Sequence, residues 1–204
     1  IYYTIKAALD SEVFDEVVVS TDCTSIADVA RSCGALVPFM RPDDLSRDHI
    51  WSRDALKHAV VECESIFKKT YDFVIELPCV APLRNHNHIK EAHQKLLNTS
   101  ADSVISVCRM QDKHPVRMKR IVDDTIHDFC ELHPEGEGSR RQDLEPCYIR
   151  NGAIYAMTRN CIVENFSRNG NISRPYIMDE LESVNIDSHI DLVTAEAIMK
   201  KVKQ

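Results

Sequence analysis

The chain has 204 residues, 44% hydrophobic and 28% charged, enough for one sizeable core or a core with a small appended element. Its formal net charge of −7 argues against general affinity for nucleic acid or anionic membranes, both of which attract basic surfaces. No apolar run approaches the roughly 20 residues that cross a bilayer and no signal peptide is visible, while the cysteine pattern is the one expected of a cytoplasmic protein.

In chain order, "YTIKAALDSEVF" reads as a helix and "EVVVSTD" as a short strand buried on both faces. "SIADVARSCG" reads as a helix stopped by Gly34, and "ALVPFM" as a strand broken by Pro38. A long amphipathic helix, "DALKHAVVECESIFKK", precedes the strand "YDFVIELP", the helix "NHIKEAHQKLL" and the strand "DSVISVCRM". This alternation predicts an α/β fold, a largely parallel sheet between helical layers. Ligands then bind beyond the C-terminal strand ends, which places "STD", "PCVAPLR" and the loop after "FMRP" on one rim.

From 113 to 148 the pattern loosens. "MKRIVDDTIHDFCEL" suggests short strands around a polar turn, and "HPEGEGSRRQDLEPC" a mobile charged loop, together a small inserted arm. "RNGAIYAMTR" returns to strand character before the closing helices. The expected division is 1–112 plus 149–204 for the α/β domain and 113–148 for the arm.

Eight cysteines occur without a CxxC pair, several in apolar settings, which points to reduced, buried thiols. His86 and His88 read as a helix start rather than a zinc site, and His114, His127 and His133 are scattered in the arm. No glycine-rich phosphate loop and no nucleophile-elbow serine is visible. Arg140, Arg141 and Arg150 surround a strand entrance beside Asn151; their forks suit an anionic sugar or nucleotide, and equally well salt bridges to neighbouring acids. In "ESVNIDSHIDL", Asp187 or Ser188 reads locally as a cap for the following helix.

"TIKAALDS..FDEVVVSTD", "FMRPDDLSRD", "APLR..NHIKEA", "RRQDLEPCYIRNGAIYAM" and "SVNIDSHIDLVTAEAI" share their order and spacing with the acylneuraminate cytidylyltransferases. The resemblance spans nearly the whole chain and extends to relatives that activate legionaminic, pseudaminic and related nonulosonic acids. It implies transfer of CMP from CTP to a 2-keto sugar acid with release of pyrophosphate, Mg²⁺ as cofactor, and a homodimer. It also implies residue roles. Arg41 and Ser52 fall at nucleotide-contacting positions. Arg141, Arg150, Asn151 and Tyr155 fall at the sugar-acid pocket, to which Arg117 reaches from the partner subunit. Asn185 and Asp187 hold the metal, Asp187 being the catalytic carboxylate, while Asp191 serves the helix start.

Three departures bear on activity. The family opens with a strand and a basic phosphate loop, whereas this chain begins at Ile1, in mid-pattern; the 204 residues alone are expected to lack a central strand and to be catalytically weak or inert. Asn185 replaces a carboxylate, so weaker Mg²⁺ affinity is expected. "PCVAPLR" replaces a segment with a glutamine and two hydroxyls. The alternatives are a non-catalytic sugar-nucleotide-binding paralogue and a 3-deoxy-manno-octulosonate cytidylyltransferase.

Overall fold

The computed structural model describes residues 1–111, 113–130, 135–136 and 140–202, with the side chains of Arg141 and Val202 excepted. His133 and the start of the charged "SRRQ" run, Ser139, lie outside the described residues.

Five helices were anticipated in position: α1 (Tyr2–Ser11), α2 (Thr24–Ser32), α3 (Ser52–Phe67), α4 (His86–Asn98) and α5 (His189–Val202). Their ends have local causes. Gly34, at φ 93°, lets the chain turn after α2, and a Cβ there would stand 3.2 Å from the Leu9 side chain of α1. Asn85 caps α4 by accepting the amides of Asn87 and His88 at 2.9 and 3.3 Å, and its own amide donates to His88 Nδ1 at 3.2 Å, closing a capping box. His88 is thus a helix-start residue, as expected.

The main sheet has the order β1 (Phe73–Glu76), β5 (Tyr148–Thr158), β2 (Ser103–Arg109), β6 (Ser173–Met178). β5 runs antiparallel to both neighbours, whereas β2 and β6 are parallel. Three strands therefore share one direction and β5 opposes them, because the chain reverses through the arm between β2 and β5. The segments "EVVVSTD" and "ALVPFM" meet in a single parallel bridge, Val18 to Leu36, with residues 17–19 half-buried rather than enclosed on both faces.

β6 was not visible in the sequence. Pro175 and its polar neighbours disguise it, yet an edge strand tolerates a proline whose missing N–H would face outward. Its entry is held by Asp102, whose carboxylate accepts the amides of Asn171 and Ile172 at 2.7 and 2.9 Å.

Alternation along β2 and β5 builds a core on each face. Val104, Ile154 and Ala156 meet Ile89, Ala92 and Leu96 of α4 and Ala7 of α1. Ile105, Tyr155 and Met157 meet Val60 of α3 and the π-helical turn Asn160–Glu164. A third cluster, Ile5, Ala30 and Ala35, seats α1 and α2 on Val17 and Val19. Each fully buried Ile or Leu here contributes roughly 1.5–3 kcal/mol. All eight cysteines are free, and burial pushes the Cys63 and Cys161 thiols up to about 11, far from thiolate chemistry.

In the arm, β3 (Lys119–Val122) and β4 (Thr125–Asp128) form a hairpin about Asp123 and Asp124, at φ 49° and 60°. Positive φ at both turn residues suits the right-handed twist of paired strands.

A forked ion pair ties α3 to the end of β5: Arg159 donates from Nε and Nη2 to Glu64 at 2.7 and 3.0 Å. This bond holds the Glu64 carboxyl below its ordinary 4.5. A depressed carboxyl contributes stability above its unfolded pKa and loses that contribution as pH falls through the folded value. Glu64→Gln is expected to lower the urea midpoint at about pH 7, with the deficit against wild type shrinking once pH drops below about 4.5. A deficit of the same size at all pH values would exclude the ion pair as its source.

Candidate active site

Opposite Ser106 of β2, the pairing of β5 slips: Ile105 faces Tyr155, yet Val107 faces Arg150. Residues 151–154 bulge between them. One hydroxyl stitches the bulge, since Ser106 Oγ accepts the Ile154 amide at 2.7 Å and donates to Asn151 Oδ1 at 2.6 Å. Asn151 Oδ1 also accepts the Ala153 amide at 3.3 Å. The quoted "NGAI" of the sequence is this bulge, a feature that strands commonly carry beside active sites.

Gly152, at φ 68°, occupies its tip, and a Cβ there would lie 3.0 Å from Asn185 Oδ1. Glycine is required twice, by the backbone angle and by the close approach. Asn185 belongs to the loop between β6 and α5. Its Nδ2 donates to Asp187 Oδ2 at 2.5 Å, while its Oδ1 is buried without a hydrogen-bond partner among the described residues. Asp187 is exposed.

Asp191 performs the capping that the local pattern gave to Asp187 or Ser188. Its Oδ2 accepts the Ser188 amide at 2.8 Å, the Ser188 hydroxyl at 2.6 Å and the Asp187 amide at 3.3 Å. The physical reason is reach, because a carboxylate one turn inside the helix can fold back on the amides ahead of it. The Asp187 carboxylate is left to the open side of the loop.

The loop is joined to the "PCVAPLR" segment by the Ile186 amide, which donates to Val80 O at 2.8 Å. Arg84 at the end of that segment is buried and donates through Nη1 to Ala153 O and Pro78 O at 2.7 and 3.0 Å. Burial pushes its guanidinium down to about 10. Nε and Nη2 of Arg84 have no hydrogen-bond partner among the described residues.

A cleft of about 650 Å³ opens on the other side of "PCVAPLR", between residues 17–21 and β1. Arg41 and Ser52, the residues to which the resemblance assigns nucleotide contacts, both line it. Arg41 reaches Ser46 Oγ at 3.0 Å and Asp22 at 3.4 Å. Ser52 accepts from Arg168 Nη1 at 2.9 Å; the same guanidinium meets Glu76 at 2.6 Å and stacks 4.0 Å above the Tyr155 ring. Burial raises the Glu76 carboxyl against the pull of that arginine.

The remaining expected residues divide. Asn151 directly precedes Gly152, which faces Asn185, and its amide is engaged, Nδ2 donating to Ser183 Oγ at 2.9 Å. Tyr155 is 9% exposed and packs in the core under Arg168, while Arg150 is exposed on β5. Arg117 sits in the arm's 3-10 turn Pro115–Arg117 and approaches Glu135 at 3.8 Å. Arg140 pairs with Asp143 at 2.9 Å, as the surface alternative anticipated. The Arg141 side chain is outside the described set. Ser106, Ser183 and Arg168 were missed; a serine in the middle of "SVISVCR" was the available signal, since a buried hydroxyl needs a partner.

Ser106→Ala is expected to cost about 2 kcal/mol, because it strands the Ile154 amide inside the sheet and leaves Asn151 Oδ1 with the Ala153 amide alone. Urea unfolding measures the loss, and hydrogen exchange should show the Ile154 amide losing protection. Near-neutral stability would mean that the bulge holds itself.

A family model described as "Cytidylyltransferase" matches residues 1–200. The chain is 31% identical over 213 residues to CMP-N,N'-diacetyllegionaminic acid synthase of Legionella pneumophila, covering 98% of this chain and 84% of that protein. It is 30% identical over 202 residues to pseudaminic acid cytidylyltransferase of Campylobacter jejuni, with the same two coverages of 98% and 84%. Its fold is similar to that of CMP:2-keto-3-deoxy-manno-octonic acid synthetase complexed with CTP, at a TM-score of 0.68, 17% identity, and coverage of 98% of this chain and 87% of that one. The bulged "RNGAIY" strand and the loop facing it are thus parts of a nucleotidyltransferase, and the chain belongs to the cytidylyltransferase family.

Proposed function

We propose that the protein transfers CMP from CTP to the anomeric hydroxyl of a nonulosonic 2-keto sugar acid and releases pyrophosphate, with Mg²⁺ held at Asn185 and Asp187. The relatives named for legionaminic and pseudaminic acids support the acceptor class. The observation that carries the site is Asn185, seated against Gly152 with its Oδ1 orphaned and its amide group bonded to the exposed Asp187 carboxylate.

The donor set fits a hard cation. Among the described residues no cluster of three His, Cys, Asp or Glu side chains stands ready for a metal; in this reading Asn185 and Asp187 would supply two oxygens. Mg²⁺ accepts such sparse protein ligation, taking its other ligands from water and substrate phosphates. Bound there, it would offset the negative charge that develops on the phosphates. The Asn185 amide would turn over to present Oδ1 alongside Asp187, an exchange of two groups of similar shape. Only Asp187 brings charge, so it dominates the attraction.

Arg41 and Ser52 then bind the nucleotide in the cleft. Arg141 and Arg150 meet the sugar carboxylate, the charge and geometry of their forks matching it. Asn151 shapes the floor of the pocket through the bulge, and Tyr155 supports it from beneath. The acceptor hydroxyl attacks the α-phosphorus in line; a new P–O bond forms as the bond to pyrophosphate breaks, and the hydroxyl proton leaves to solvent. Positioning supplies most of the acceleration in such transfers.

The reading includes a division of labour, with 1–112 and 149–204 binding nucleotide and the arm 113–148 joining two copies. Ile121 and Ile126 pair across the hairpin and are 75% and 69% exposed, with Phe129 at 66%, a small apolar face suited to a second arm. Arg117 would reach the partner's sugar pocket from there. A cytoplasmic location is part of this reading; among the described residues no helix is long and apolar enough to cross a membrane.

Pyrophosphate release by the full-length protein tests the reaction, with CTP, Mg²⁺ and a panel of sialic, legionaminic, pseudaminic and octulosonic acids. Release with one nonulosonic acid is expected, and Asp187→Ala should reduce it by at least about 10²-fold at saturating Mg²⁺. Undiminished turnover in that variant would falsify the assignment of Asp187; no release from folded wild type with any sugar would favour a binding paralogue. For the arm, Ile126→Lys should convert dimers to monomers in light scattering without lowering the unfolding midpoint of the chain. A monomeric wild type would remove the arm's proposed role.

A further inference from the structure

We propose that Glu182 is a positioning residue for the cation pair: gripped by Asn85 and His88 at the start of α4, it sets where Asn185 and Asp187 stand. The proposal deepens the cation reading above and rests on it. Glu182 lies three residues before Asn185 in sequence. Its Oε1 accepts from Asn85 Nδ2 at 3.3 Å, and its Oε2 meets His88 Nε2 at 3.1 Å.

The direction of these bonds follows from the capping box. Asn85 N–H donates to His88 Nδ1, so the neutral ring carries its proton on Nε2, aimed at Glu182. Asn85 uses Oδ1 for the helix amides, leaving its NH₂ group for the same carboxylate. His88 is 8% exposed, with the Tyr176 ring 6.2 Å away, and Tyr176 OH donates to Glu91 at 2.6 Å. Both donors therefore sit on a rigid base, the first turn of a helix whose Ile89, Ala92 and Leu96 fill the core.

Between Glu182 and Asp187 the loop has two more fixings. Ser183 Oγ accepts from Asn151 and donates to Asp179 O at 2.6 Å, and the Ile186 amide is held by Val80 O. Those two join the loop to the bulge and to "PCVAPLR"; Glu182 joins it to α4. Loss of the Glu182 carboxylate leaves the His88 Nε2–H buried without its acceptor and frees one side of the loop. The Glu182 side chain is itself 40% exposed, so its pairing adds little to global stability and its effect is local. Residues that orient metal ligands in this way typically tune affinity by one to two orders of magnitude.

The test compares wild type, Glu182→Ala and Glu182→Gln in the full-length protein. Mn²⁺, standing in for Mg²⁺, is titrated in the presence of CTP and followed by electron paramagnetic resonance, with hydrogen exchange measured across residues 179–188. Glu182→Ala is expected to weaken Mn²⁺ binding about 10-fold and to raise exchange in that loop, while β2 and β5 keep their protection. Glu182→Gln keeps one carbonyl acceptor and should fall between the two. In turnover, the Mg²⁺ requirement should rise more than kcat falls, a split that a general loss of folding does not produce. Unchanged loop exchange in Glu182→Ala overturns the proposal, and so does raised exchange with unchanged Mn²⁺ affinity. Equal Mn²⁺ binding by wild type and Asp187→Ala would instead remove the cation reading, and loop exchange would still decide whether Glu182 holds the loop.

Discussion

The geometry of the site depends on one buried hydroxyl. Ser106 accepts an amide from one end of the β5 bulge and donates to a side chain at the other, so the Ile154 amide and Asn151 Oδ1 keep partners where the ladder breaks. A buried donor or acceptor without a partner costs more than a hydrogen bond returns, which makes the stitched bulge a single stable shape. Gly152 can then occupy the tip, and its missing side chain is the space in which Asn185 stands.

From that bulge the architecture extends by short polar contacts through otherwise apolar layers. Asn151 passes the constraint to Ser183, and Arg84 ties the bulge at Ala153 to the "PCVAPLR" turn. The turn in turn holds Ile186. Each contact links a different element, so the loop that carries Asp187 is located by β5, by the turn after β1 and by α4 together. Apolar packing alone is non-directional and would leave the loop free to slide over the core. The directional bonds remove that freedom.

The opposite mouth of the molecule is organised by charge. Arg168 bridges Ser52 of α3, Glu76 of β1 and the face of Tyr155 in β5, joining three elements around one guanidinium. Glu76 is desolvated there, and a buried carboxylate is tolerable only beside such a partner. Cleft and loop thus lie on either side of the "PCVAPLR" turn, so a ligand spanning that turn would meet Arg41 and Ser52 at one end and Asp187 at the other.

Much of this was legible in the sequence. The five helices follow from apolar spacing and their punctuation, and the family follows from the order of "FMRP", "PLR", "RNGAIY" and "SVNID". The metal roles of Asn185 and Asp187 came only from the resemblance, whereas the local pattern offered Asp187 or Ser188 as the helix cap that Asp191 provides. Three things needed the tertiary structure. β6 hid behind Pro175, since only its place at the sheet edge makes the proline harmless. The bulge hid because its stitch, Ser106, is 45 residues from Asn151. Glu182 and His88 are 94 residues apart, and nothing local says that a loop carboxylate will meet a helix cap. The sequence by itself determined which residue types and local elements exist and which family they belong to, because those depend on near neighbours and on motif order. Only the folded chain decided which side chains share a hydrogen bond, because that depends on where distant segments meet.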